Sequence, residues 1–409
     1  MSILGTRVVR IEDPRFLTGE GTYIANLPMP GALHLTFVRS SMAHARLIGI
    51  DASEALSMPG IRAVWTAADI DIAPAGPANG MMNKAMLFPY LAIDTVRFVG
   101  DLVAIVVSED KTSGVDAAVT VIVDYEPLEA VLDMDDSFSN RVLLHPDAET
   151  NVVLTFAARS NDDIFADCEV VVDLVIENQR VAPAPMEVRS CVSTWDGTRL
   201  TQWACSQGAH GARDGLAEVF GLDKSQVRVI TPDVGGGFGA KIAAYPEELV
   251  LGAVAKKAGI PVRWLETRSE SMTALGHGRA QIQYVTIGGT KAGKVTAYQM
   301  HVLQDSGAWV DIGAILAPFM TRPMASGVYD IPKIEVRTTS IATNTTPVVA
   351  YRGAGRPEAT AAIERAMDMF AAEIGKDAAE VRRINLIPKF LEPHATSIGQ
   401  TYDVGDYEE

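Results

Sequence analysis

The sequence predicts an α+β fold laid out in two regions, and three observations predict it. Short strands interleave with a short helical piece before residue 130. Asp133 to Thr150, rich in Asp, Ser, Asn and Pro, reads as a linker. Beyond it, alternating strands mix with helices whose ends are marked by Pro, Gly and Asp. At 409 residues the chain is too long for a single compact core, so more than one domain is expected.

In the first region residues 31 to 38 alternate well enough for a strand, and Ile61 to Thr66 makes a second. Leu102 to Val107 is a third, its unbroken apolar run marking burial on both faces. Asp116 to Thr120 forms a short helix before the strand Val121 to Tyr125. In the second region Glu169 to Glu177 alternates, with Val170, Val172, Leu174 and Ile176 on one face. Further strands are predicted at Arg199 to Ala204, Gln226 to Ile230, Val262 to Leu265, Gln281 to Ile287 and Val295 to Leu303. Pro246 suits a first helical position, and Leu249, Val250, Ala253 and Val254 give a stripe that stops at Gly259. Pro357 starts another helix, with Ile363, Ala366, Met367 and Phe370 inward and Gly375 at its end. Asp377 and Glu380 form a capping-box pattern for a last helix reaching about Leu386. There is no internal repeat and no low-complexity segment.

Composition narrows the function. With 51 acidic against 35 basic side chains the net charge is −16, the wrong sign for a general nucleic-acid binder. Cys168, Cys191 and Cys205 lie far apart without a C-x-x-C pair, which excludes a zinc ribbon and a self-contained iron–sulfur site. Three cysteines also suit no secreted disulfide framework. The opening MSILGTRVVRIEDPRF has no apolar core of signal-peptide length, and no apolar run is long enough for a membrane span. A soluble, cytoplasmic protein is expected.

The strongest local signal is TPDVGGGFGAK, Thr231 to Lys241. So many glycines let the backbone approach a bulky ligand and turn N–H groups onto anionic oxygens. Each such charge-assisted contact contributes about 1.5–3 kcal/mol. The plain alternative is a glycine-rich turn, and Lys241 is open to either a phosphate contact or solvent. Gly235, Gly237 and Ala240 also satisfy the dinucleotide pattern G-x-G-x-x-A, with Glu266 ending the next strand. Against an NAD-binding unit, three residues separate the glycines from the helix start, and Glu266 comes about thirty residues on instead of about twenty. A nucleotide triphosphate loop fails, because Ile242 follows Lys241 where Ser or Thr is needed.

The second signal is VAYRGAGRPEA, Val349 to Ala359, where Arg352 and Arg356 flank Gly353 and Gly355 before a helix. Two guanidinium groups on a flexible loop at a helix N-terminus suit an anion, and an ordinary surface loop is the plain alternative. The third is WACSQGAH, Trp203 to His210, where Gln207 at a strand end could donate to an oxygen ligand or merely satisfy loop backbone. His277 and His301 have no partner at metal-ligand spacing and read as structural, and Ser206 lies in no nucleophile elbow.

Together, in this order and spacing, the three segments resemble the large subunits of molybdenum hydroxylases, the xanthine dehydrogenase and aldehyde oxidase family. APAPMEVRS (Ala182 to Ser190), YIANLPMPGALHLTFVRSSMAHARL (Tyr23 to Leu47), and VGDLVAIVVSED with VDYEPLEAV (Val99 to Val131) support the match, which spans nearly the whole chain. The resemblance implies an N-terminal segment (1–17), an a/b hammerhead domain (18–130), a linker (131–150) and a first molybdopterin-binding α+β domain (151–409). It implies that Gln207 hydrogen-bonds an oxo ligand of molybdenum and that Gly236, Gly237, Phe238 and Gly239 lie against the metal and pterin. Arg352, Gly353, Ala354, Gly355 and Arg356 match the active-site loop, so Gln207 and Arg352 are assigned to the chemistry. The metal is held by molybdopterin, in bacterial members usually the cytosine dinucleotide form, and not by protein ligands.

The implied reaction hydroxylates an aldehyde or aromatic N-heterocycle with oxygen from water, a glutamate acting as base. Electrons leave through 2Fe–2S clusters and FAD on partner subunits of a hetero-oligomer. The nearest branch resembles carbon monoxide dehydrogenase large subunits, whose loop carries a copper-binding cysteine. Here Gly353 stands at that place, so copper and CO oxidation are disfavoured. Relatives continue for several hundred residues past DVGDYEE (Asp403 to Glu409) and carry the base glutamate there. The expectation is therefore a chain inactive alone, either a split subunit or, preferred, a truncated reading frame. Glu187 and Glu358 are expected to be structural. A non-catalytic subunit or fragment is the remaining alternative.

Overall fold

The computed structural model describes residues 3–70, 72, 80–158 and 163–409. Its architecture is mixed α/β, as expected. A seven-stranded sheet runs in the order Val227–Ile230, Leu200–Ala204, Ser190–Trp195, Val262–Leu265, Leu33–Arg39, Leu102–Ser108, Ile61–Trp65. It takes strands from both sequence regions, joined where Leu33 and His34 pair in parallel with Val262 and Arg263. Leu102–Ser108 is buried at every residue because a core packs on each face, with Leu102, Ile105 and Val107 in one and Ala104 and Val106 in the other, which is what its apolar run predicts. The helix Pro246–Ala258 packs on this sheet and is buried from Glu247 to Ala255, more completely than a single stripe requires.

A five-stranded sheet, ordered Val152–Ala158, Lys333–Ala342, Val295–Gly307, Gly278–Gly289, Val170–Val181, carries the second core. Val170, Val172, Leu174 and Ile176 all turn into it, as the alternation indicated. The helix Arg356–Glu373 covers this sheet through Ile363, Ala366, Met367 and Phe370, each fully buried. The closing helix Ala378–Asn385 is capped by Asp377, whose carboxylate accepts from the amides of Ala379 and Glu380.

Three expectations need correction. The helix placed at Asp116 to Thr120 spans Lys111–Ala118, because the Asp110 carboxylate caps it by accepting from Ser113 N–H at 3.0 Å. The segment read as a linker, 131–150, holds the helix Met134–Phe138, capped by Asp133, and buries Ser137, Leu144 and His145. Its Asp and Ser are there to cap and to bond: Ser137 Oγ donates to Ala342 O at 2.5 Å. Val131 and Asn344 are tied by two hydrogen bonds, Val131 N to Asn344 Oδ1 at 2.9 Å and Asn344 N to Val131 O at 2.8 Å. Finally, Lys241 is only 3% exposed, so it is neither solvated nor open to a phosphate. Among the described residues no helix is long and apolar enough to cross a membrane.

Candidate functional site

Three loops converge at the ends of these sheets. Leu200–Ala204 ends at Gln207, which precedes the helix Ala209–Phe220. The backbone N–H of Gln207 donates to Lys241 O at 2.8 Å, and its side-chain Oε1 accepts from the amides of Gly239 (2.8 Å) and Lys241 (3.3 Å). Arg352 N–H donates to Phe238 O at 2.8 Å, which joins the arginine loop to the glycine loop. The structure thus gathers Gln207, Gly236 to Gly239 and Arg352 to Arg356 in one place.

The glycines are demanded by packing. A Cβ at Gly237 would collide with the Gln207 amide, and one at Gly239 would stand 2.7 Å from the Ala350 carbonyl oxygen. Phe238 holds a left-handed conformation (φ 56°) that costs a bulky residue energy, and the residue is 40% exposed. Glu187, on the segment before Ser190–Trp195, fastens this loop at both ends. Its carboxylate accepts from Gly235 N–H at 2.7 Å and from Lys241 Nζ at 3.2 Å. Asp233 ties the loop to the N-terminal segment by accepting from Thr22 N–H and from the Arg15 guanidinium. The Arg15 bond, then the Thr22 amide, holds that carboxyl down to about 2.

The second loop is not loose, although the sequence suggested flexibility. Ala354 and Gly355 are buried, and Gly353, Ala354 and Gly355 all take positive φ. Arg279 fixes it: its guanidinium donates to Tyr351 O (3.2 Å), Arg352 O (2.8 Å) and Glu358 Oε1 (3.3 Å), and stacks 4.7 Å from the Tyr351 ring. Arg279 and Ala280 are themselves left-handed, a strained pair at the start of Gly278–Gly289. No sequence pattern marks Arg279. Glu187 sat in a recognised segment, but without a signal for its anchoring contacts. Arg356 turns back onto Gly353 O at 3.1 Å, whereas no hydrogen bond or ion pair engages the Arg352 side chain among the described residues.

The donors left over define the chemistry. With Oε1 held by two amides, the Gln207 side chain presents its NH₂ group outward. Among the described residues neither that group nor the amides of Gly236, Gly237 and Phe238 find an acceptor. Glu187 and Glu358 are both paired, with Lys241 and Arg279 respectively. His277 is a structural residue, its Nε2 against Met272 O at 3.1 Å. No group of three or more His, Cys, Asp or Glu suited to a metal ion occurs among the described residues.

The geometry speaks against a dinucleotide unit. Two strands separate Val227–Ile230 from Val262–Leu265 in the sheet, whereas a dinucleotide βαβ unit sets its strands side by side. Glu266, which would bind the ribose, is buried against Arg189.

A family model described as the molybdopterin cofactor-binding domain matches residues 144–386. One described as the aldehyde oxidase and xanthine dehydrogenase a/b hammerhead domain matches 18–129. The chain belongs to the molybdenum hydroxylase large-subunit family. It is 36% identical over 423 residues to the nicotine 6-hydroxylase large subunit of Paenarthrobacter nicotinovorans, covering 99% of this chain and 51% of that one. It is 34% identical over 430 residues to the carbon monoxide dehydrogenase large chain of Afipia carboxidovorans, covering 99% and 52%. The structure of quinoline 2-oxidoreductase from Pseudomonas putida 86 superposes with a TM-score of 0.93 at 32% identity, covering 99% and 53%. This chain spans about half the length of these relatives.

The family's molybdenum–pterin group carries oxo and phosphate oxygens, which accept hydrogen bonds and donate none. Toward such oxygens the described residues of these loops offer donors: the Gln207 NH₂ group, three unbonded loop amides and the Arg352 guanidinium. The donor set fits the group.

Proposed function

We propose that this chain forms the molybdopterin-binding part of a molybdenum hydroxylase that oxidises aldehydes or aromatic N-heterocycles with water as the oxygen source. The observation that carries it is Gln207, held so that its amide nitrogen is the only side-chain atom left to bond a ligand oxygen. Gly236, Gly237, Phe238 and Gly239 supply the cradle, Arg352 the charge, and Gly353, Ala354, Gly355 and Arg356 the shape of the facing loop. The bound group, in its cytosine dinucleotide form, supplies the two-electron oxidation of the substrate carbon. Gln207 orients it, and Arg352 stabilises negative charge developing at the substrate.

A general base needs a carboxylate with free lone pairs. Glu187 and Glu358 each hold one oxygen in an ion pair, with Lys241 and Arg279, and the other oxygen of each is buried, so neither is exposed to take a proton from a bound group. The base therefore comes from outside this chain, and the isolated chain does not turn over. Its partners are the remaining molybdopterin-binding half, an iron–sulfur small subunit and an FAD subunit, in a soluble cytoplasmic assembly. The test is the molybdenum content of the complex recovered through a tag on this chain. Near-stoichiometric metal is expected, with Gln207→Ala lowering turnover more than thermal stability. Absence of metal from cells that make the cofactor, or unchanged kinetics in the variant, would overturn the proposal.

A further inference from the structure

Lys241 closes the glycine loop, yet it is only 3% exposed, so its ammonium group serves the protein interior. Its Nζ donates to Glu187 O at 2.8 Å and to Glu187 Oε2 at 3.2 Å. The same Oε2 accepts from Gly235 N–H at 2.7 Å, and Glu187 N–H donates to Gly235 O at 3.1 Å. One lysine–glutamate pair therefore ties both ends of the loop to a single residue. An ammonium group is costly to bury, and a plain turn has no need of one.

The backbone of Lys241 meets Gln207 twice. Lys241 O accepts from Gln207 N–H at 2.8 Å, and Lys241 N–H donates to Gln207 Oε1 at 3.3 Å. Ala240 O, on the same peptide group as that N–H, accepts from the Tyr245 hydroxyl at 2.7 Å. The direction of the Lys241 N–H is thus set by Glu187 through the side chain and by Tyr245 through the carbonyl. The two ends of a carboxamide are nearly equal in size and opposite in hydrogen-bonding character. What decides which end turns outward is the pair of N–H groups of Gly239 and Lys241, which only an oxygen can accept. An amide turned over would set its NH₂ group against those two donors and face a ligand oxygen with its own carbonyl.

We infer that Lys241, anchored by Glu187, is a positioning residue: it sets the sense of the Gln207 amide, and so which end of that amide meets the bound group. This rests on the hydroxylase reading for the identity of the group, but not for the geometry of the anchor.

The experiment compares Lys241→Met, Gln207→Ala and the two combined. Hydrogen exchange is read by mass spectrometry on the full chain, residues 1–409, made in cells without molybdenum cofactor. Lys241→Met should speed exchange of the Gly239 amide about tenfold or more, towards the rate in Gln207→Ala, while the helix Pro246–Ala258 keeps its protection. Turnover and molybdenum content are read on the complex recovered through a tag. There Lys241→Met should lower kcat about tenfold to a hundredfold, with KM within about twofold of wild type. The double variant should be no slower than Gln207→Ala alone, because a residue that acts through Gln207 then has nothing to act on. A lysine that only stabilises the fold would give losses that multiply. If Lys241→Met folds poorly by thermal unfolding, adding Glu187→Gln removes the stranded carboxylate and keeps an oxygen for Gly235 N–H. Stability should then return while kcat stays low. Unchanged exchange at Gly239, or losses in kcat that multiply, would overturn the inference. A complex without molybdenum would sink the hydroxylase reading instead, and the exchange rates would still decide this one.

Discussion

Gly237 faces the Gln207 amide so closely that a methyl group would overlap it, and the overlap cannot be relieved cheaply because Gln207 Oε1 is held by two loop amides. Gly237→Ala should therefore push Gln207 off its bonds while leaving both hydrophobic cores intact. The expected outcome in the assembled enzyme is a loss of about 100-fold in turnover, the size of effect that a 1 Å misplacement produces. Molybdenum content and kcat measured on one preparation check it; wild-type kinetics would show that the cradle tolerates the methyl group. The sequence made the glycine cluster legible as a place of close approach. It did not show that Gly235, Gly237 and Gly239 first of all make room for Glu187, Gln207 and Ala350. Lys241 was illegible for a related reason: nothing in a linear pattern places Glu187, fifty-four residues earlier, against its ammonium group.

Helices were easier to read than strands because their ends carry chemistry. Pro246 and Gly259, Pro357 and Gly375, and Asp377 mark ends that the structure keeps within about two residues. The helix Arg268–Ala274 carries an equally good signal in the Thr267/Glu270 capping box. Ser190–Trp195 and Lys333–Ala342 gave none, since burial on both faces removes the alternation and their small polar residues imitate loop composition. The arginine loop depends on the start of Gly278–Gly289, a strand whose sequence pattern is legible only from Gln281 onward. Arg279→Gln should release Tyr351 and Arg352 and strand the fully buried Glu358 without its cation, costing about 3–5 kcal/mol in denaturant unfolding. Adding Glu358→Gln should recover part of that loss, because a neutral amide tolerates burial better than an unpaired carboxylate. If the double variant is no more stable than the single one, the ion pair is not what holds the loop.

At the scale of the whole molecule, the two regions are one folded body as well as neighbours in sequence. Arg189, 1% exposed, binds Glu247 and Glu266 while Arg39 of the first region binds the same Glu247, so the charge network crosses the shared sheet. Asp101 sits at the same junction, and burial pushes its carboxyl up to about 7 against the pull of the Arg97 amide and charge. The folded protein thus keeps a proton there that the unfolded chain releases near the usual carboxylate value of about 4. Between those limits the native state binds more protons, so this group's contribution to stability falls as pH rises, at most about 1.4 kcal/mol per pH interval, and is gone above about 7. The wild-type profile alone would hide this, because burial pushes His145 down to about 4, which makes stability rise over much of the same window. The difference between Asp101→Asn and wild type isolates the carboxyl. The variant, which cannot ionise, should gain on the wild type steadily from pH 5 to pH 7.5 and show no further gain above. A difference in unfolding free energy that stays flat across that range would mean Asp101 is ionised throughout and paid for by Arg97.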